Sequence, residues 1–146
     1  MVYLKYMGGR DKILPPKEYQ IEGDWSNAAI FIVGGCLGAS MKMSGLNLES
    51  SQGDKKIVEI IKKAGAVLSC SNDCISSNRS HLNSFEIDFS ETPDLFPILS
   101  VVAALSKGQS ILKGGERLKL KESNRIESTF QMLKSLGADV KKERMD

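Results

Sequence analysis

The feature that most limits the fold of this 146-residue chain is an internal repeat. Asp24, Gly38 and Gly45 recur at one constant spacing as Asp94, Gly108 and Gly115, and Gly65-Ala66 recurs at nearly the same spacing as Gly137-Ala138. Such regularity implies one supersecondary unit used twice, two helices against a small sheet, each with one apolar face that must be buried.

The local patterns agree with that reading. The run 25-WSNAAIFIVGGCLG-38 is helix-like and apolar, with Gly34 and Gly35 permitting a close approach by a neighbour, and 40-SMKMSGL-46 alternates as a strand does. The amphipathic run 54-DKKIVEIIKKAG-65 places Ile57, Ile60 and Ile61 on one side and stops at Gly65. Two strands are expected next, 66-AVLSCS-71 and one near Ile75, joined by an Asn72-Asp73 turn. The second copy then reads as a strand (84-SFEIDF-89), a helix (residues 94–108), a strand (109-QSILKG-114), a helix (residues 121–137) and a strand (138-ADVKKE-143). The expected fold class is α/β (α+β), built from strand-helix-strand-helix-strand-strand units. Residues 1–23 are expected to form a crossover and lead-in strand, 24–83 a first unit, and 84–146 a second unit that stops short, leaving an open sheet edge.

Composition narrows the function classes. The chain is 41% hydrophobic and 26% charged, ordinary for a globular domain, and its apolar tracts fall short of the roughly 18 residues of a membrane span. Nothing at the start reads as a secretory leader, so a cytoplasmic setting without membrane partners is expected. Twenty basic and 18 acidic residues are interleaved to a net charge of +2, so no nucleic-acid footprint stands out. Cys36, Cys70 and Cys74, with His81 as the sole histidine, do not form a disulfide framework or a metal set, and neither nucleotide-binding glycine pattern occurs. No metal or cofactor is expected. Trp25 and Phe31 read as packing residues, Met41 and Met43 as gap-fillers, and His81 as a solvated loop residue.

Chemistry concentrates in 113-KGGERLKLKESNRIEST-129, where Lys121, Glu122 and Arg125 sit at the expected start of a helix. The positive end of a helix dipole disfavours cations, and Lys121 and Arg125 at i,i+4 repel one another when both are helical. A bound carboxylate or phosphate would reverse both effects by taking the helix N–H groups, the guanidinium and the ammonium together. Neutralisation by Glu122 on a solvated surface is the other reading. The corresponding place in the first copy, 49-ESSQG-53, has no Lys or Arg, so this chemistry belongs to one copy only. Asp94 follows Pro93 at the start of an apolar helix, where it reads as an N-cap, as Asp24 does in the first copy.

Three segments carry a resemblance to a known family. The string 117-RLKLKESNRI-126 resembles the R-L-x-x-K-E-[ST]-[DN]-R signature of the 5-enolpyruvylshikimate-3-phosphate synthases, 22-EGDWSNAAIF-31 resembles the opening of their C-terminal domain, and 93-PDLFPILSVVAALSKG-108 resembles their catalytic aspartate helix. Asn27 stands where that family more often has serine. The resemblance implies transfer of enolpyruvyl from phosphoenolpyruvate to the 5-hydroxyl of shikimate 3-phosphate, a step toward chorismate and the aromatic amino acids. It implies a two-domain fold with three such units per domain and a site in the cleft between domains. By position, Asp94 would take the substrate hydroxyl proton, Lys121 would contact the sugar-like substrate and shuttle a proton, Glu122 would serve proton transfer at the methylene carbon, and Arg125 would bind phosphoenolpyruvate. The family's first-domain motifs and its last C-terminal unit have no match here, so the chain is expected to be inactive alone and to need both as partners. Two alternatives remain open: a non-catalytic anion-binding or assembly module, and the related transferase acting on UDP-N-acetylglucosamine.

Overall fold

The computed structural model describes residues 18, 20–71, 74–115 and 124–143. Among these, the elements run α1 (Trp25–Leu37), β1 (Met41–Ser44), α2 (Ile57–Lys63), β2 (Val67–Ser71), β3 (Cys74–Asn78), β4 (Glu86–Asp88), α3 (Phe96–Leu105), β5 (Ile111–Lys113) and α4 (Arg125–Ser135). Short 3-10 turns, Gly53–Lys56 and Pro93–Leu95, lead into α2 and α3. β1, β3 and β2 form an antiparallel sheet in that order, while β4 and β5 pair in parallel across the α3 crossover.

α1 is apolar almost all round, and Trp25, Ala28, Ala29, Ile32, Val33 and Cys36 bury a wide face of it. Burial alone pushes the Cys36 thiol pKa up. The helix lies close on β3 because Gly35 has no side chain: a Cβ there would stand 1.9 Å from Ser77 Oγ. Phe31 departs from the expected packing role. It is 56% exposed, outside the wide face that Trp25, Ala28, Ala29, Ile32, Val33 and Cys36 bury.

One apolar core joins the two halves of the chain. Trp25, Ile32, Ile57, Ile61 and Ile75 from the first half meet Phe89, Leu95, Leu99 and Val102 from the second, with α1 against α3. Phe89 and Phe96 meet edge to face at 5.2 Å.

The two glycine stops fold alike. Gly65 (φ 101°) and Gly137 (φ 86°) both end their helices in the left-handed region. Gly65 N–H donates to Lys62 O and Ala66 N–H to Ile61 O, and Gly137 and Ala138 repeat this with Lys134 and Leu133. Both are Schellman caps, and glycine is favoured there because it has no Cβ to strain.

The strand expected over residues 138–143 is not formed. β2 exists because β3 returns beside it, whereas no described segment returns beside 138–143. That stretch folds back onto α4, where Lys142 pairs with Glu127 and lies 4.3 Å from the Phe130 ring centroid.

Candidate functional site

Asp94 is not the cap that its position before an apolar helix suggests. It lies inside the 3-10 turn Pro93–Leu95, and neither that turn nor α3 has a side-chain cap. Phe96 N–H, a natural donor for a capping aspartate, bonds instead to Pro93 O. Asp24 does cap α1 as expected, accepting from Ser26 N at 2.8 Å and Asn27 N at 3.4 Å.

Asp94 instead meets Arg125. Arg125 Nη1 donates to Asp94 Oδ1 at 2.5 Å, joining the start of α4 to the start of α3 across 31 residues. The two side chains, Arg125 and Asp94, are 26% and 43% exposed, and an ion pair so open to water contributes roughly 0–1 kcal/mol to folding. Stability therefore gives little reason for the pair.

Arg125 is the first residue of α4, which sets its guanidinium at the positive end of the helix. Asn124 fixes that start: its Oδ1 accepts from Glu127 N at 3.2 Å. N-x-x-E ahead of a helix is a capping signature legible in the sequence, and Asn124 with Glu127 fits it. Glu127 does not reach back over the helix start. Its carboxylate accepts from Lys142 and from Gln131, and those hydrogen bonds, Lys142's first, hold its pKa below the usual carboxylate range. Lys121 and Glu122 lie outside the described residues, so the structure brings together two of the four candidate residues, Asp94 and Arg125.

The equivalent corner of the first half is closed by hydrogen bonds around one carboxylate. Gln52 Oε1 accepts from Trp25 N at 3.0 Å, while its Nε2 donates to Glu22 Oε1 at 2.9 Å and Gly23 O at 3.1 Å. Ser50 Oγ donates to Glu22 Oε1 as well, at 2.7 Å. His81 is exposed, as expected for a loop residue, and no group of three metal-ligating side chains occurs among the described residues.

A family model described as EPSP synthase (3-phosphoshikimate 1-carboxyvinyltransferase) matches residues 3–145. The chain belongs to the EPSP synthase family. Similar proteins include the 3-phosphoshikimate 1-carboxyvinyltransferase of Clostridium novyi (strain NT), 42% identical over 125 residues, which cover 86% of this chain and 29% of that protein. The protein of the same description from Buchnera aphidicola subsp. Baizongia pistaciae is 35% identical over 140 residues, covering 94% of this chain and 33% of its own length. A solved EPSP synthase from Acinetobacter baumannii superposes with a TM-score of 0.70 at 30% identity, over 79% of this chain and 29% of that one. The mixed helix-and-sheet fold is thus that of EPSP synthases, as the three motifs imply, and the chain spans about a third or less of the length of these relatives. No described helix is long and apolar enough to cross a membrane.

Proposed function

We propose that this chain supplies part of the catalytic site of a 3-phosphoshikimate 1-carboxyvinyltransferase, a cytoplasmic enzyme that transfers enolpyruvyl from phosphoenolpyruvate to the 5-hydroxyl of shikimate 3-phosphate. The observation that carries the reading is the contact of Asp94 with Arg125, a carboxylate and a guanidinium brought from separate elements to one exposed corner. The family membership supplies the reaction; the corner supplies a base and an anion clamp of the kinds that reaction needs.

In the reaction, the 5-hydroxyl oxygen bonds to C2 of phosphoenolpyruvate as a proton reaches its methylene carbon. Phosphate then leaves, with loss of a proton, as the enol ether forms. Asp94 accepts the hydroxyl proton, and Arg125 exchanges part of its contact with Asp94 for the anionic groups of phosphoenolpyruvate. Lys121 and Glu122, carried by the sequence motif alone, hold the sugar-like substrate and move the proton at the methylene carbon. Burying a doubly or triply anionic substrate among such groups offsets the cost of a cation at the start of α4. We assign residues 1–23 to a crossover and lead-in strand, 24–83 to one repeat unit and 84–146 to part of another. Further domain segments beyond this stretch complete the cleft, in keeping with the share of its relatives that the chain covers.

Calorimetric titration of the 146-residue chain with phosphoenolpyruvate in the presence of shikimate 3-phosphate tests this reading. Arg125→Ala is expected to weaken binding by about tenfold or more, the loss of one charge-assisted hydrogen-bonded contact. Equal affinity of the folded parent and variant would remove Arg125 from the site. Tighter binding of UDP-N-acetylglucosamine than of shikimate 3-phosphate would move the chain to the other transferase.

A further inference from the structure

Asp24 and Asp94 stand in matching places of the two copies, and only Asp24 caps its helix. Three hydrogen bonds hold Asp24: Ser26 N donates to Oδ1 at 2.8 Å, Asn27 N to Oδ1 at 3.4 Å and Asn27 Nδ2 to Oδ2 at 2.9 Å. At the same spacing, Ser26 becomes Phe96 and Asn27 becomes Pro97. Phe96 N–H is taken by Pro93 O, and Pro97 has neither an amide hydrogen nor a side-chain donor. Each donor that holds Asp24 is therefore lost or diverted at Asp94. Proline is tolerated in the first turn of a helix, where amide hydrogens lack intrahelical partners, so the substitution leaves α3 itself intact.

We propose that Pro97 is a positioning residue: by removing an amide hydrogen from the first turn of α3, it keeps the Asp94 carboxylate out of the helix cap and turned toward Arg125. The claim that the uncapped carboxylate then serves a substrate hydroxyl rests on the enolpyruvyl-transfer reading; the uncapping itself does not. A general base needs its carboxylate directed at the substrate, and helix N–H groups compete for the same lone pairs. Asn27 strengthens such a competition in the first half, and Pro97 abolishes it in the second.

The test uses the 146-residue chain, labelled with ¹⁵N and studied without substrate. Pro97→Ala creates an amide at position 97, and Pro97→Asn adds a side-chain donor as well. Hydrogen exchange at that new amide is expected to be about tenfold slower than in the same variant carrying Asp94→Ala, the protection expected of a net hydrogen bond. The Arg125 guanidinium protons are expected to exchange faster than in the parent chain, as Asp94 turns to the cap. A generally loosened helix would not make protection at position 97 depend on Asp94. If the new amide exchanges equally fast with and without Asp94 in both variants, or if the Arg125 signals do not change, the role of Pro97 is overturned. The enolpyruvyl-transfer reading would survive that outcome, since it is tested separately by substrate titration.

Discussion

At the start of α1, Asp24 is spent on the backbone, and the neighbouring corner is closed by Gln52, Ser50 and Glu22 hydrogen-bonded to one another and to the chain. At the start of α3, the matching place in the second copy, Asp94 caps neither the 3-10 turn nor the helix, and a cation from α4 meets it at an exposed corner. The surrounding elements follow the same order: a helix, a strand and a helix that ends in a Schellman cap. The first corner has its Glu22 carboxylate hydrogen-bonded by Ser50 and Gln52, whereas the second sets a carboxylate against a guanidinium at the surface. A small set of substitutions, such as Asn27 against Pro97 and Gln52 against Asn124, separates a structural corner from a chemical one.

The largest expected effect tests how far the two inner helices differ in packing. Gly35→Ala drives a Cβ into Ser77 and is expected to cost about 1–3 kcal/mol in chemical denaturation. Leu105, at the matching place in α3, is 64% exposed, and Leu105→Ala is expected to stay within about 0.5 kcal/mol. Equal costs would mean that the contact of α1 with β3 is not the tighter one.

A smaller effect sharpens the likeness of the two helix ends. Gly65→Ala and Gly137→Ala each force a left-handed alanine, at about 1–2 kcal/mol. Gly65→Ala is expected to be the costlier, because His81 O would lie 3.2 Å from its Cβ whereas nothing lies within 4 Å at Gly137. Thermal melts that rank them the other way would break the correspondence between the two stops.

The smallest effect concerns acid. Hydrogen bonds from Ser50, then Gln52, hold the Glu22 carboxyl below its ordinary pKa of 4.5, whereas the matching residue of the second half is the buried, non-ionising Thr92. A lowered folded pKa stabilises the fold fully above the unfolded value, and that contribution is lost as pH falls through the folded one. Glu22→Gln is therefore expected to flatten the decline of melting temperature below pH 4.5. Thr92→Ala leaves that slope unchanged. An identical acid slope in parent and Glu22→Gln chains would show that this corner carries no acid sensitivity.

Much of the architecture was legible in the residues because its causes are local. The four helices seen among the described residues were legible as helix-like runs, α1 and α3 apolar nearly throughout and α2 amphipathic, and Gly65 and Gly137 marked where two of them stop. The expected strand at residues 138–143 failed for the opposite reason: strand formation depends on a partner, and alternation says nothing about whether one is present. Phe31 shows the same limit for burial, since an all-apolar helix does not declare which face meets the sheet.

The family and the candidate residues came from motif strings, which order and spacing preserve along the chain. The use made of Asp94 did not. A capping aspartate and an uncapped one look the same in sequence until the fates of the nearby amide hydrogens are known, and here one is taken by Pro93 and another is absent at Pro97. Tertiary structure then brought Arg125 to the Asp94 carboxylate from 31 residues away. The sequence by itself determined the helices and the glycine stops of two of them, because those follow from interactions within a few residues. Only the tertiary structure decided which aspartate serves the backbone and which faces a cation, because that choice depends on donors and charges that meet through packing.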